Sequence, residues 1–281
     1  MKFEKMHAAG NDYVYVNLFD EKVDNPSELS KYISNRNFGV GSDGLVLIGP
    51  SVQGDFFMQM FNADGSEGMM CGNAARCVGK YVYERGLTNL TEIDLETRSG
   101  VKHLSLKVNK HSKRVELIQV NMGRALVSSE NKGLSELFQL SLNSMIDYPV
   151  QLDDHKYRIT FVSMGNPHAV IFVNDISKVD IRNEGKKIEH LEHFPERTNV
   201  EFVEVANSRQ LNVRVWERGS GETLACGSGA CAAVVAGVLT GRCNSKVSVK
   251  LKGGILQIDW DKKADRVFLT GDAHFVFKGE I

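Results

Sequence analysis

Two cysteine-bearing segments of this chain are near copies of one another. The first reads Phe61-Asn-Ala-Asp-Gly-Ser-Glu-Gly-Met-Met-Cys71-Gly-Asn-Ala-Ala-Arg-Cys77, the second Trp216-Glu-Arg-Gly-Ser-Gly-Glu-Thr-Leu-Ala-Cys226-Gly-Ser-Gly-Ala-Cys231. Cys71 and Cys226 lie 155 positions apart, and the same spacing relates Asn62 to Glu217, Glu67 to Glu222 and Asn11 to Asn166. A repeat of this kind predicts a duplicated domain, with equivalent residues brought to two sides of one cleft and a thiol on each side. Each cysteine is followed by glycine, a small polar residue and a helical pattern. That places both at helix N-termini, where unpaired N–H groups and the helix dipole favour a thiolate or a bound carboxylate. Two thiols across a carboxylate site suit one reaction class, inversion of a stereocentre next to a carboxylate. One thiolate removes the α-proton, the opposite thiol returns a proton to the other face, and no redox change occurs. The helix N–H groups would stabilise charge developing on the carboxylate.

The remaining cysteines read differently. Cys77 and Cys231 follow their partners by six and five residues, which at about 100° per residue turns them away from the helix start and into its core. Their spacing also does not match a zinc site, so no metal is expected. Cys243 reads as a small buried hydrophobe. Glu217-Arg218 precedes a glycine-rich turn; the arginine could pair with a carboxylate and the glutamate with an ammonium, or the two could be a solvated surface pair. Asn11, Asn62, Asn166 and Asn199 sit in turn-like contexts and are either turn formers or substrate contacts. His168, after Asn-Pro, is either a satisfied turn histidine or a polar wall near the reacting carbon. The loop at residues 39–44 is rich in glycine, but it lacks the Lys-Ser/Thr of a phosphate-binding loop, so nucleotide binding is discounted.

Length and pattern supply the elements that must position these groups. The chain has 281 residues and 31.2 kDa, two domains by length. Hydrophobic residues make up 42%, charged residues 25%, and the net charge is −1, which leaves no electrostatic footprint for nucleic acid or an anionic membrane. No secretory or membrane-spanning apolar run is seen. Five cysteines are an odd number for a disulfide framework and point to a reducing cytoplasm. Strands are expected at residues 11–19, 45–48, 55–61, 91–96, 102–107 and 114–120, with a helix over 74–85 closed by Gly86. The second half repeats the order, with strands at 161–164, 169–173, 200–205 and 211–216. A helix follows over 230–239, apolar nearly all round and ending at Gly241. Such a helix must be buried on every side, as it would be inside a curled sheet. Residues 128–149 read as a linker or connecting helix.

Taken together, these motifs resemble the diaminopimelate epimerase family along essentially the whole chain. The residues that carry the resemblance are the two cysteine segments, Met6-His-Ala-Ala-Gly-Asn-Asp-Tyr, Met164-Gly-Asn-Pro-His-Ala-Val and Arg197-Thr-Asn-Val-Glu-Phe. The resemblance implies an α+β fold of two pseudo-symmetric domains, each a curled, barrel-like mixed β-sheet around a central helix. The first would comprise residues 1–122 plus 271–281, the second 123–270. It implies a cofactor-independent isomerase interconverting LL- and meso-diaminopimelate for lysine and peptidoglycan precursors, and a cytoplasmic homodimer. By motif Cys71 is the proton donor and Cys226 the acceptor, supported by His168 and Glu217. Gly72, Asn73, Gly227 and Ser228 would bind the reacting carboxylate. Asn11, Asn62, Asn166, Asn199, Glu217 and Arg218 would hold the distal amino-acid end. The chain departs from the family pattern at Gly44, where some members carry a glutamine; at Ala74, often glycine; at Tyr13, usually Phe; and at Ala8-Ala9, where a glycine-containing pair is common. Two other readings compete: a proline or hydroxyproline racemase of the same fold, and a non-catalytic thiol module that senses redox state or binds metal.

Overall fold

A computed structural model describes residues 1–127, 145–153 and 155–281. The chain divides into two compact units, Met1–Asn121 with Thr270–Ile281, and Met122–Leu269. Residues 128–144 of the expected linker lie outside the described residues. Its last part does not form a linker, because Tyr148 and Pro149 begin a strand.

The first unit is built from β1 (Lys2–Ala8), β2 (Asn11–Asn17), α1 (Pro26–Ser34), β3 (Gly44–Gly49), β4 (Phe56–Asn62), β5 (Glu67–Gly68), α2 (Gly72–Glu84), β6 (Glu92–Thr97), β7 (Gly100–Val108), β8 (Val115–Gly123) and the C-terminal strand β18 (His274–Glu280). Its sheet runs β18-β1-β2-β3-β4-β6-β7-β8. The β2–β3 and β4–β6 pairs are parallel and the others antiparallel. The short β5 folds back on β4.

The second unit has β9 (Tyr148–Leu152), β10 (His155–Ser163), β11 (Pro167–Val173), α3 (Ile181–Glu189), β12 (Asn199–Asn207), β13 (Gln210–Glu217), β14 (Gly221–Thr223), α4 (Gly227–Leu239), β15 (Lys246–Leu251), β16 (Gly254–Asp261) and β17 (Arg266–Gly271). Here the ladder is β9-β10-β11-β12-β13-β15-β16, with β11–β12 and β13–β15 parallel and β14 folded onto β13. Order and pairing sense therefore repeat those of the first unit. The duplication read from 155-residue spacings extends to the whole topology, an α+β fold of two mixed sheets.

Each sheet curls around one helix. α4 packs against β10, β11, β12, β13, β15 and β16, and ten of its residues, including Ala230 to Gly237 without a break, are buried. Its composition of alanine, glycine and valine fits this place: small side chains let strands approach, and each buried valine contributes roughly 1.5–3 kcal/mol. At 13 residues it is too short to cross a membrane, and no helix among the described residues is long and apolar enough to do so. In the first unit α2 packs against β1 and β7 and is buried from Gly72 to Val82. The outer faces of the sheets carry α1 and α3. Val14, Val16, Leu45, Leu47 and Ile33 form a cluster in the first unit, and Ile171, Val200, Phe202, Ile181 and Ile188 one in the second. The strand pattern at residues 11–17 is thus buried on both faces, Val14 and Val16 toward α1 and Tyr15 toward Cys77 of α2.

The outer helices carry side-chain caps: Asn25 accepts from the Glu28 N–H, with Pro26 at the first helical position, and Asp180 accepts from the Asn183 N–H. Such caps satisfy donors that a helix start leaves unpaired. The caps of the two central helices are Cys71 and Cys226 instead.

The β1–β2 turn is Ala9-Gly10, with φ at 51° and 80°. Two successive positive φ values define the hairpin turn whose twist matches the strands, and at Ala9 the Cβ makes that conformation costly. Ala9→Gly is therefore expected to stabilise the protein by about 1 kcal/mol, read as a higher urea midpoint with unchanged slope. A lower midpoint would show that the turn is not held in this conformation.

Candidate active site

In the first unit the site forms where α2 begins. Cys71 has extended backbone angles (φ −131°, ψ 122°) and makes no side-chain cap bond, so the first N–H groups of the helix are not taken up by its own sulfur. The Cys71 thiol donates to Asn11 Oδ1 at 3.4 Å, and Asn73 Nδ2 donates to the same oxygen at 3.3 Å. Asn11 is oriented in turn by donating to Asp43 Oδ2 at 2.7 Å. Asp43 lies in the 39–44 loop discounted above as a phosphate cradle. Its role is to brace Asn11, and Arg36 bridges it to Asp12 at 2.8 Å each. Arg36 and Lys5 together hold the Asp12 carboxyl below its ordinary range against the opposing effect of burial. From below, the fully buried Arg76 donates to Asn73 Oδ1 at 3.0 Å and to the Asp272 carbonyl at 3.1 Å.

The second unit repeats the construction with different groups. Cys226 caps α4 with similar angles (φ −117°, ψ 115°) and accepts from the Gly229 N–H at 3.4 Å. Its sulfur lies 3.5 Å from Ser228 Oγ, to which Asn166 Nδ2 donates at 3.4 Å. Glu217, at the end of β13, reaches the Cys226 thiol and accepts from Thr223 Oγ1. His168 is fully buried, with Nε2 3.0 Å from Asn166 Oδ1 and Nδ1 2.7 Å from Glu201 Oε1. Burial, followed by the carboxyls of Glu217 and Glu201, pushes the Cys226 thiol well above its ordinary range. It therefore holds its proton at neutral pH, so at rest it is placed to give a proton and not to take one, the reverse of the acceptor role implied by its motif. Burial likewise raises the Glu217 carboxyl.

Of the residues singled out from sequence, Asn11, Cys71, Gly72 and Asn73 converge in the first unit, and Asn166, His168, Glu217, Cys226, Gly227 and Ser228 in the second. Asn62 stands outside the Cys71 network: it is exposed and donates to Ser66 Oγ at 3.0 Å. Asn199 and Arg218 form their own link. The Arg218 N–H donates to Asn199 Oδ1 at 3.0 Å, Asn199 Nδ2 donates to the Pro167 carbonyl, and the exposed guanidinium donates to the Glu196 carbonyl. Glu201, Asp43, Thr223 and Arg76 were missed. A signal for Glu201 was present, a carboxyl inside the apolar run that forms β12.

Two departures from the family pattern acquire physical explanations. A Cβ at Gly44 would lie 2.0 Å from the Phe61 carbonyl oxygen and 2.8 Å from Tyr13 Cε1, so with this backbone no side chain fits. Ala74 lies inside α2 and is not among the residues with positive φ, so no strain arises there.

A family model described as diaminopimelate epimerase matches residues 3–127 and 160–276. The diaminopimelate epimerase of Acetivibrio thermocellus is 50% identical to this chain over 284 residues, covering 100% of the chain and 98% of that protein. That of Methanococcus maripaludis is 48% identical over 282 residues, covering 100% and 99%. Among solved structures, a phenazine biosynthesis protein of the PhzF family from Bacillus anthracis superposes with a TM-score of 0.70 at 14% identity, covering 100% of this chain and 98% of that one. A hydroxyproline epimerase from Agrobacterium vitis, with trans-4-hydroxy-L-proline bound, gives 0.69 at 12%, covering 100% and 90%. At such identities the two structures speak for the fold alone.

The raised Cys226 thiol leads to a measurable reactivity. Alkylation of Cys226 by iodoacetamide, followed by mass spectrometry of its peptide, should be slow at neutral pH and accelerate only in alkaline solution. Because the Glu217 carboxyl raises this thiol, Glu217→Gln should speed the reaction at a fixed alkaline pH. Rapid wild-type alkylation at neutral pH would contradict the assignment.

Proposed function

Since the chain belongs to the diaminopimelate epimerase family, we propose that it interconverts LL- and meso-2,6-diaminopimelate by proton transfer between one α-carbon and the thiols of Cys71 and Cys226. The observation that carries this reading is the repeated placement of a thiol as the cap of a buried helix, once in each unit. In the proposed step one thiolate takes the α-proton and the electrons of the C–H bond pass toward the carboxylate. The other thiol then gives its proton to the opposite face, forming the new C–H bond. Atoms and charge balance, and the two sulfurs end with their protonation states exchanged, so the reverse reaction uses the same groups in opposite roles. No oxidant or cofactor enters this balance.

The carboxylate of the reacting centre would be held by N–H groups at the starts of α2 and α4, over Gly72-Asn73 and Gly227-Ser228, where anions are favoured. Glu217 touches Cys226 and would support its proton transfer, while His168 would act through Asn166. Asn11, Asn62, Asn166, Asn199, Glu217 and Arg218 would hold the distal amino-acid end. A second amino-acid end is what separates this substrate from proline or hydroxyproline, which would leave Glu217 and Arg218 little to grip. Thiol chemistry of this kind needs a reducing compartment, so the proposal places the enzyme in the cytoplasm. The family resemblance supports a homodimer and a role in supplying lysine and peptidoglycan precursors.

Incubation of the reduced protein with LL-diaminopimelate in D₂O, without pyridoxal phosphate, should yield meso product carrying deuterium at the inverted carbon. Cys71→Ala and Cys226→Ala should each lower turnover by about 10²–10⁴-fold. Exchange-free, inactive wild type would refute the substrate. Full activity in either alanine variant would refute the two-thiol mechanism, and inversion of proline instead would favour the racemase reading.

A further inference from the structure

One buried carboxyl in the second unit has no part in the proton transfer described above. Glu201 on β12 and His168 on β11 are both fully buried. From Glu201 a line of contacts leads to the thiol: Oε1 to His168 Nδ1 at 2.7 Å, His168 Nε2 to Asn166 Oδ1 at 3.0 Å, Asn166 Nδ2 to Ser228 Oγ at 3.4 Å, and Ser228 Oγ to Cys226 Sγ at 3.5 Å. Hydrogen bookkeeping constrains this line. Asn166 turns its amide nitrogen to Ser228, so its oxygen faces the ring and Nε2 must carry a hydrogen. A second hydrogen must lie between Nδ1 and Oε1, because two lone pairs do not approach to 2.7 Å. The ring is thus held from both nitrogens.

Packing alone does not explain the carboxyl. Its other oxygen, Oε2, is buried without a hydrogen-bond partner, an arrangement that is costly and calls for a reason. The surroundings are shaped for it as well: a Cβ at Gly229 would stand 2.6 Å from Oε1. Nor does the duplicated fold require the pair, since the residues at the same spacing in the first unit are Val46 and Tyr13.

We propose that Glu201 is a positioning residue for the Cys226 half of the site: it holds a hydrogen at His168 Nδ1, fixes the ring, and through Asn166 and Ser228 orients the thiol. The inference rests on the role proposed for Cys226. The titratable groups facing Glu201 are His168 from β11, Glu217 from β13 and Cys226 at the start of α4.

Glu201→Gln keeps the volume and removes the carboxyl. Its kcat for LL-diaminopimelate should fall by about 10–100-fold with KM little changed. The limb of the pH profile set by Cys226 should move to lower pH, because the Glu201 charge raises that thiol. In protein labelled with ¹⁵N-histidine, the wild type should show a slowly exchanging, strongly downfield proton on His168 Nδ1, assigned by its loss in His168→Asn and lost also in Glu201→Gln. Wild-type kinetics and pH profile in Glu201→Gln, or no such proton in the wild type, would overturn the proposal. If Glu201→Gln fails to fold, the wild-type spectrum decides alone. That spectrum needs no substrate, so inactivity toward diaminopimelate would overturn the proposed function and leave this arrangement to stand or fall by itself.

Discussion

Each unit depends on burying a helix along its length while leaving its first turn available. A helix leaves its first four N–H groups without internal partners. Surface helices settle this with Asn, Asp or Ser caps, as α1 and α3 do with Asn25 and Asp180. The central helices begin at cysteine, a poorer acceptor, and Cys71 makes no side-chain cap bond to α2. The curled sheets supply the stability that the caps do not. α4 touches six strands, so its position is set by packing along its body and not by its cap.

The duplication preserved this backbone arrangement and changed the electrostatics at each end. In the first unit the residue a turn beyond the thiol is Arg76, fully buried, tied to Asn73, and within electrostatic reach of Cys71. At the same spacing in the second unit stands Cys231, and the buried charges beside Cys226 are instead the carboxyls of Glu217 and Glu201. One thiol is thus placed near a cation and the other near acids. A reaction in which one sulfur must give a proton while the other takes one has use for such a difference.

The fold was legible from sequence where pattern and duplication coincided. The helices after Cys71 and Cys226, the strands around residues 11–17, 45–48 and 200–205, and the α+β class followed from periodicity and the repeat. The helices α1 and α3 were not marked out, although Asn25-Pro26 and Asp180 are ordinary helix-start signals, because each is only nine residues long and buries too few apolar residues to show a helical period. The candidate site was legible in its residue types and less so in its connections. Asn11 and Asn166 could be named from the repeat. That Asp43 braces one and His168 meets the other depends on which loop or strand lies alongside, and spacing does not encode that.

The interiors of the two central helices show how far a duplicated backbone constrains side chains. Arg76 and Lys80 of α2 correspond at the 155-residue spacing to Cys231 and Val235 of α4. Burying two cations requires partners for their donors. Arg76 finds them in the carbonyls of Gly72 and Asp272 and in Asn73, and Lys80 in the Val115 carbonyl and Glu84. Asp272 lies just before β18, so the C-terminal segment completes the coordination of a side chain that also orients Asn73. α4 has no cation to satisfy and fills the same places with Cys231 and Val235. Its polar residue at the thiol, Ser228, is oriented from the side through Asn166 and His168 instead of from below. Orientation of the groups beside the thiol is therefore needed in both units, and each meets the need with the polar groups its own interior allows.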